Sequence, residues 1–207
     1  MSKIAVLGWG SLVWWPGSLA SHIQPMDANT VQLWSDQGPI LPLEFSRISR
    51  SRKGALTLVI DPQNGTPTQT SFTFSNRKTP EDVIYDLCLR ERTTANSVGF
   101  YIKEGHRVKI QSRSNVAAGI IFNWANQHGI DAVIWSDRPS NFEKRVKRRF
   151  SVDNAIDYLK AFPEGRLWHA IRYMSYIPER VDTVLRRRLR WEPWWQSAVA
   201  RYQYQAF

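Results

Sequence analysis

The apolar and polar positions of the chain fall into short runs that predict many strands and few helices. The run Ile4-Ala5-Val6-Leu7 predicts a buried strand over residues 3–7, broken at once by Gly8-Trp9-Gly10. Residues 41–48 alternate, with Leu41, Leu43 and Phe45 on one face and Glu44 and Ser46 on the other, and predict a second strand. Residues 55–60 predict a third. The stretch QNGTP (63–67) is a turn, and residues 69–74 alternate again with Phe72 and Phe74 on one side. Residues 98–102, 107–110 and 132–135 complete the predicted strands. Thr79-Pro80-Glu81-Asp82 carries the marks of a helix start: an N-cap threonine, proline at the first position and two acids in the first turn. That helix is expected to run to about Arg92. Residues 152–162 predict a helix with Ile156 and Leu159 inward, and residues 178–191 an arginine-rich one. Residues 116–126 fit a helix or a strand. Residues 15–39 are irregular, punctuated by Pro16, Gly17, Pro25, Gly38 and Pro39.

Strands that do not alternate regularly with helices argue against a doubly wound sheet. They predict an α+β fold, a small mixed β-barrel with flanking helices. The 207 residues suffice for one domain over 1–207 with a sizeable core. A basic, Trp-rich C-terminal extension begins at about residue 178. No apolar run approaches the ~20 residues that span a membrane, and the short, Gly-broken N-terminal run is not a signal peptide. Cys88 is the single cysteine, which leaves no intrachain disulfide and points to a cytoplasmic protein. Flanked by Leu87 and Leu89, it reads as a core residue. The four histidines have no zinc-type spacing, so no metal site is expected.

Two places carry candidate chemistry. The turn Gly8-Trp9-Gly10-Ser11 reads either as an ordinary strand-to-loop turn or as a nest of main-chain N–H groups open to an anion. A dinucleotide fingerprint fails, because its third glycine position holds Val13. Ser11 has no histidine partner in a triad pattern and is read as a loop residue. In the predicted helix, Ile84, Leu87 and Cys88 precede Glu91 by seven, four and three residues and share its face. Glu91 therefore falls on the apolar stripe. Burial disfavours the charged form of a carboxyl group, and such a group is a better general base near neutrality. The other reading is a salt bridge to an arginine such as Arg90, or a frayed helix end facing water. Glu44 is the rival carboxylate, on the face opposite Leu41, Leu43 and Phe45; it points into the site if that apolar face turns away from the barrel interior, and otherwise reads as solvated. Asp137 and Asn141 read as turn caps, or as residues at a pocket mouth.

Three segments in order, Gly10-Ser11-Leu12, Thr57-Leu58-Val59-Ile60-Asp61-Pro62 and Leu87-Cys88-Leu89-Arg90-Glu91, resemble the γ-glutamylcyclotransferase superfamily, most closely its ChaC-type branch. The resemblance covers about the first half of the chain. It implies a small β-barrel with flanking helices, and an enzyme that cyclises a small γ-glutamyl compound, glutathione among them, to 5-oxoproline. It places the catalytic glutamate at Glu91, puts substrate contacts on Gly8, Trp9, Gly10, Ser11 and Leu12, and requires no cofactor or metal. Two departures bear on specificity. Trp9 stands where the family has a loop tyrosine, and Thr93-Thr94 replaces the two glycines of the family's segment after its glutamate.

Charge adds a competing class. Lys and Arg number 28 against 18 Asp and Glu, a net charge of +10. SRISRSRK (46–53) lies between two strands, where a loop could grip a carboxylate or phosphate. FEKRVKRRF (142–150) and RRRLR (186–190), in a chain with ten tryptophans, read either as solvated basic faces or as a binding protein's surface for nucleic acid or another polyanion. The aromatic run RWEPWWQ (190–196) is a candidate contact for a homo-oligomer.

Overall fold

The structure, a computed structural model, describes the backbone of residues 2–25 and 32–205 and the side chains of residues 2–25 and 32–202. Positions 26–31 of the irregular stretch and the last two residues of the tail lie outside the described residues. The chain is α+β. Among the described residues the strands are β1 (Ile4–Gly8), β2 (Ile40–Ile48), β3 (Leu56–Ile60), β4 (Thr66–Gln69), β5 (Ser71–Phe74), β6 (Val98–Glu104), β7 (Arg107–Gln111) and β8 (Ala132–Ser136). The helices are α1 (Ser11–Trp14), α2 (Pro80–Glu91), α3 (Asn115–Gln127), α4 (Phe142–Val146), α5 (Val152–Lys160), α6 (Glu164–Ser175), α7 (Val184–Arg190) and α8 (Pro193–Gln205). The strands form two separate sheets and not the closed barrel expected from the sequence. The chain divides into two compact units, residues 1–41 with 69–138, and residues 42–68 with 139–207.

The first unit is built on a five-stranded sheet in the order β5-β1-β8-β6-β7. β1 lies inside it, antiparallel to β5 and parallel to β8, with Ala5 opposite both Phe74 and Val133. Every residue of β1 is buried, as a continuous apolar run requires of a strand covered on both faces. The period of two sorts the covers. Ile4, Val6, Ile102, Ala132 and Ile134 pack with Val83 and Leu87 of α2. On the other face, α3 sets Phe122 edge-on to Tyr101 and Trp124 edge-on to Phe72. α3 resolves the ambiguous stretch 116–126 as a helix, started by Ser114, whose hydroxyl accepts from the Ala117 N–H at 3.1 Å. At the sheet edge, all five residues of β7 are exposed, with Arg107 and Lys109 alternating with Val108 and Ile110.

Gly99 of β6 sits opposite Trp135 of β8, which is fully buried. A Cβ at Gly99 would lie 2.1 Å from the Trp135 ring. The indole fills the space that any other residue would need.

The second unit contains the three-stranded sheet β3-β2-β4 and helices α4 to α8. β2 departs from expectation: Leu43, Glu44, Phe45 and Ser46 are all buried, so both faces are covered. Glu44 is not solvated. Its carboxylate accepts from the Phe45 N–H at 2.8 Å, from the Leu185 N–H at 3.4 Å and from the Thr183 side chain, at the start of α7. Phe142 is edge-on to both Phe150 and Tyr158, and Tyr158 to Phe162, so aromatic edges hold α4 and α5 together.

Other boundaries differ for local reasons. The single strand expected at 69–74 is two, β4 and β5, one in each sheet. They part at Thr70, whose hydroxyl donates to the Pro39 carbonyl at 2.7 Å. The helix expected from residue 178 begins at Val184, where Thr183 accepts from the Arg186 N–H. Helices α6 and α8 had no counterpart among the expected elements.

Gly99→Ala is expected to destabilise the protein by about 2–3 kcal/mol, as overpacking against a buried ring does. A denaturation midpoint equal to that of the parent would show that Trp135 can move aside. Glu44 yields a pH dependence. Burial pushes its carboxyl above the ordinary glutamate value of 4.5, Asp61 adds to the shift, and hydrogen bonds from Thr183, Phe45 and Leu185 oppose it. The fold then favours the protonated group. That contribution is complete below pH 4.5, the unfolded value, and is lost as pH rises through the folded value. Glu44→Gln should flatten the fall of stability over that window, read from denaturation curves at successive pH. Parallel curves for parent and variant would exclude this role.

Candidate functional site

α2 is fastened along its length. Its N-cap Thr79 accepts from the Asp82 N–H. One turn further on, Asp86 is buried and takes a forked pair of bonds from Arg77, Nε to Oδ2 at 2.7 Å and Nη2 to Oδ1 at 2.8 Å. Arg77 Nη2 also lies 3.0 Å from His22 Nε2. The far end closes on Arg92, a non-glycine residue at φ 50°. The Thr93 N–H bonds the Cys88 carbonyl and the Arg92 N–H the Leu89 carbonyl, the two crossed bonds of a Schellman motif. Glu91 is thereby the last residue before the chain turns away.

Arg90 makes this helix end a site. Its side chain is 7 % exposed and that of Glu91 19 %. Arg90 Nη1 donates to Glu91 Oε1. Arg90 Nη2 donates to Ser11 Oγ at 3.1 Å and to the Trp15 carbonyl at 2.8 Å. From the segment after β8, Arg138 Nη2 donates to the Glu91 carbonyl at 2.7 Å. β1 and β8 are parallel neighbours, so the loop after each leaves the same edge of the sheet. The cluster therefore joins the carboxyl ends of two parallel strands to the carboxyl end of α2, the kind of place where open sheets hold ligands.

All six residues singled out in the sequence lie in the first unit. Ser11 and Glu91 are joined through Arg90. Gly8, Trp9, Gly10 and Leu12 are buried in and beside the same loop. The reason for Gly8 differs from the one expected. A Cβ there would come within 2.7 Å of the Trp34 ring, so the glycine admits an indole from its own chain. Glu91 lies in an ion pair with Arg90, which was the second of its two readings. The sequence reading overlooked Arg138 altogether and counted Arg90 only as a salt-bridge partner. Both stand beside residues it had noticed, Glu91 and Asp137, and that adjacency was the only available signal.

The neighbouring ionisable groups are held by burial. Asp137 is buried, which pushes its carboxyl above the ordinary aspartate range, and the Arg113 N–H, donating at 2.5 Å, opposes the shift. Burial likewise pushes the Cys88 thiol up, which suits packing against the core and not nucleophilic attack. The rival Glu44 belongs to the second unit. Among the described residues no group of three His, Cys, Asp or Glu is placed to hold a metal ion. No helix among them is long and apolar enough to cross a membrane. Comparison of the chain with protein-family models, curated proteins and solved structures finds no match.

Arg92 invites a test of the helix end. Arg92→Gly removes a left-handed penalty of about 1–2 kcal/mol and adds about 0.4–1 kcal/mol of chain entropy to lose. A net gain of about 0.5 kcal/mol, or 1–2 °C in melting temperature, is expected. A fall in melting temperature would mean that the Arg92 side chain itself holds the loop.

Proposed function

We propose that this chain is a γ-glutamylcyclotransferase-like enzyme that cyclises a small γ-glutamyl compound to 5-oxoproline and releases an amine or peptide. The observation that supports the reading is the Arg90 bridge. It brings the carboxylate of Glu91 and the hydroxyl of Ser11, 80 positions apart in the chain, to one guanidinium at the carboxyl end of β1.

The chemistry follows from these groups. The substrate's α-carboxylate takes a place on Arg90, by the bidentate contact that guanidinium groups favour. Glu91, released from its partner, accepts a proton from the substrate's α-ammonium. The free amine attacks the γ-carbonyl carbon of the same molecule. A new C–N bond closes the five-membered ring, and the carbonyl electrons move onto oxygen. The main-chain N–H groups of the Gly8–Leu12 loop steady that oxyanion. Collapse breaks the bond to the leaving nitrogen, which takes the first proton back from Glu91; the second hydrogen of the ring nitrogen then passes as a proton through the same carboxylate to the departing amine, which leaves as an ammonium ion. Atoms and charge balance without an oxidant or a second substrate. Folding the substrate so that amine and carbonyl meet supplies much of the rate. The indole of Trp9 donates a hydrogen bond but accepts none, so the substrate it favours differs from one chosen by a tyrosine.

The test is release of 5-oxoproline from a panel of γ-glutamyl amines and dipeptides, glutathione included. Glu91→Gln should lower kcat by about 10²–10⁴-fold, the range for loss of a general base, in a protein that stays folded by circular dichroism at the assay temperature. Equal turnover by parent and variant would overturn the assignment of Glu91. No product from any compound, with the protein folded, would overturn the reaction class.

A further inference from the structure

The two densest basic runs of the second unit are not alike. In α7 every arginine is engaged. Arg186 is half-buried and donates to the carbonyls of Ile177 and Val181, at 2.7 and 2.8 Å. Arg187 and Arg190 both meet Asp182 at 3.2 Å, and Arg188 meets Glu192 at 3.1 Å. These charges are spent within the fold.

The run over residues 144–149 is the opposite case. Lys144, Arg145, Lys147 and Arg149 are exposed, and among the described residues none of them has an ion-pair partner. Arg148 alone reaches an acid, Asp157, at 3.8 Å. Lys147 holds φ 62° at the end of α4, a left-handed turn that favours glycine. The bend sets Lys144 and Arg145 on the helix and Arg149 on the segment beyond it. The surrounding unit adds to the field. It contains 18 of the 28 Lys and Arg but 9 of the 18 Asp and Glu, so it carries +9 of the net +10.

Beside this run lies an open, polar cavity of about 880 Å³ lined by Lys144, Arg149, Gln63, Asn64 and the Phe150 ring, among others. Two acids also line it. Asp61 is buried and its carboxylate is occupied by its own turn, accepting from the Gln63 and Asn64 N–H groups and from Asn64 Nδ2. Glu143 is exposed at the start of α4.

We propose that this face binds single-stranded nucleic acid, with phosphates on Lys144, Arg145, Lys147 and Arg149 and an unstacked base in the adjoining cavity beside Phe150. Unpaired cations next to an accessible ring are the combination that single strands require. The alternatives fit less well. α4 has five residues, too few to be laid along a duplex groove. A membrane surface calls for an apolar face to insert, and here Phe142 is fully buried while Val146 and Phe150 are half-buried. The inference stands on the second unit alone and does not depend on the cyclisation reaction.

Fluorescence anisotropy of the full chain with a labelled single-stranded oligonucleotide tests it. Three to four phosphate contacts predict a log–log salt slope of about −2 to −3. Lys144→Gln/Arg145→Gln/Arg149→Gln should weaken binding by about tenfold or more at low salt and reduce the slope by about 2. Lys147 is kept because of its left-handed backbone. The control Lys78→Gln/Lys103→Gln/Arg107→Gln removes the same charge from exposed positions of the first unit and should change affinity by less than about twofold. Equal loss in both variants would reduce the effect to net charge and overturn the site. So would absence of binding at low salt. A duplex bound as tightly as the single strand would overturn the role of the cavity. Patch-dependent binding to vesicles with anionic lipid, without binding to the oligonucleotide, would assign the face to a membrane surface instead.

Discussion

A guanidinium group cannot give up its proton at any pH the protein meets, so an arginine side chain only 7 % exposed must be matched by acceptors. Arg90 finds three: the carboxylate beside it, a hydroxyl on the loop after β1 and a main-chain carbonyl just past α1. Consecutive helical residues do not face each other, so Arg90 and Glu91 meet only because the helix stops there. The left-handed turn at Arg92 frees Glu91 from the helical spacing, and Arg138 takes the carbonyl that the helix leaves open. Remove that one cation and the segment after β1 and the end of α2 lose the group that draws them together.

Two of the buried carboxylates, Asp86 and Glu44, contrast with this and with each other. Asp86 is answered by a fork from Arg77, charge against charge. Glu44 receives neutral donors and has Asp61 as an electrostatic neighbour. The first arrangement locks a helix against its turn. The second leaves a group whose charge the fold resists, capping α7 where a neutral side chain would also serve. The same division runs through the cations. The arginines of α7 are tied to carbonyls and acids, whereas the run at 144–149 is left to the solvent.

Much of the first unit was legible in the sequence because its signals are local. The unbroken apolar run of β1 meant burial on both faces, and Thr79-Pro80-Glu81-Asp82 placed the start of α2 to the residue. What was not legible depends on partners distant in sequence. Glu44 looked solvated because alternation in β2 suggested one wet face, yet the turn at Thr183 and Leu185, some 140 positions away, covers it. The strand at 69–74 looked single because both halves alternate, and nothing local marks Thr70 as the point where the chain leaves one sheet for the other. In the site, Glu91 and the Gly8–Leu12 loop were each visible, but the arginine joining them showed only as an ion-pair partner of Glu91. Its wider role comes from Ser11 and Trp15, more than 70 positions away, and no local pattern marks those contacts.

β7 closes one edge of the five-stranded sheet, and among the described residues no further strand pairs with it. Its exposed Val108 and Ile110 would suit a neighbouring chain adding itself to the ladder. Arg107 and Lys109 alternate with them and set like charges against any identical strand that approaches. The hairpin of β6 and β7 thus carries its own protection against polymerisation. Modifications that neutralise those two side chains would convert a sheet margin into a template for fibrous assembly.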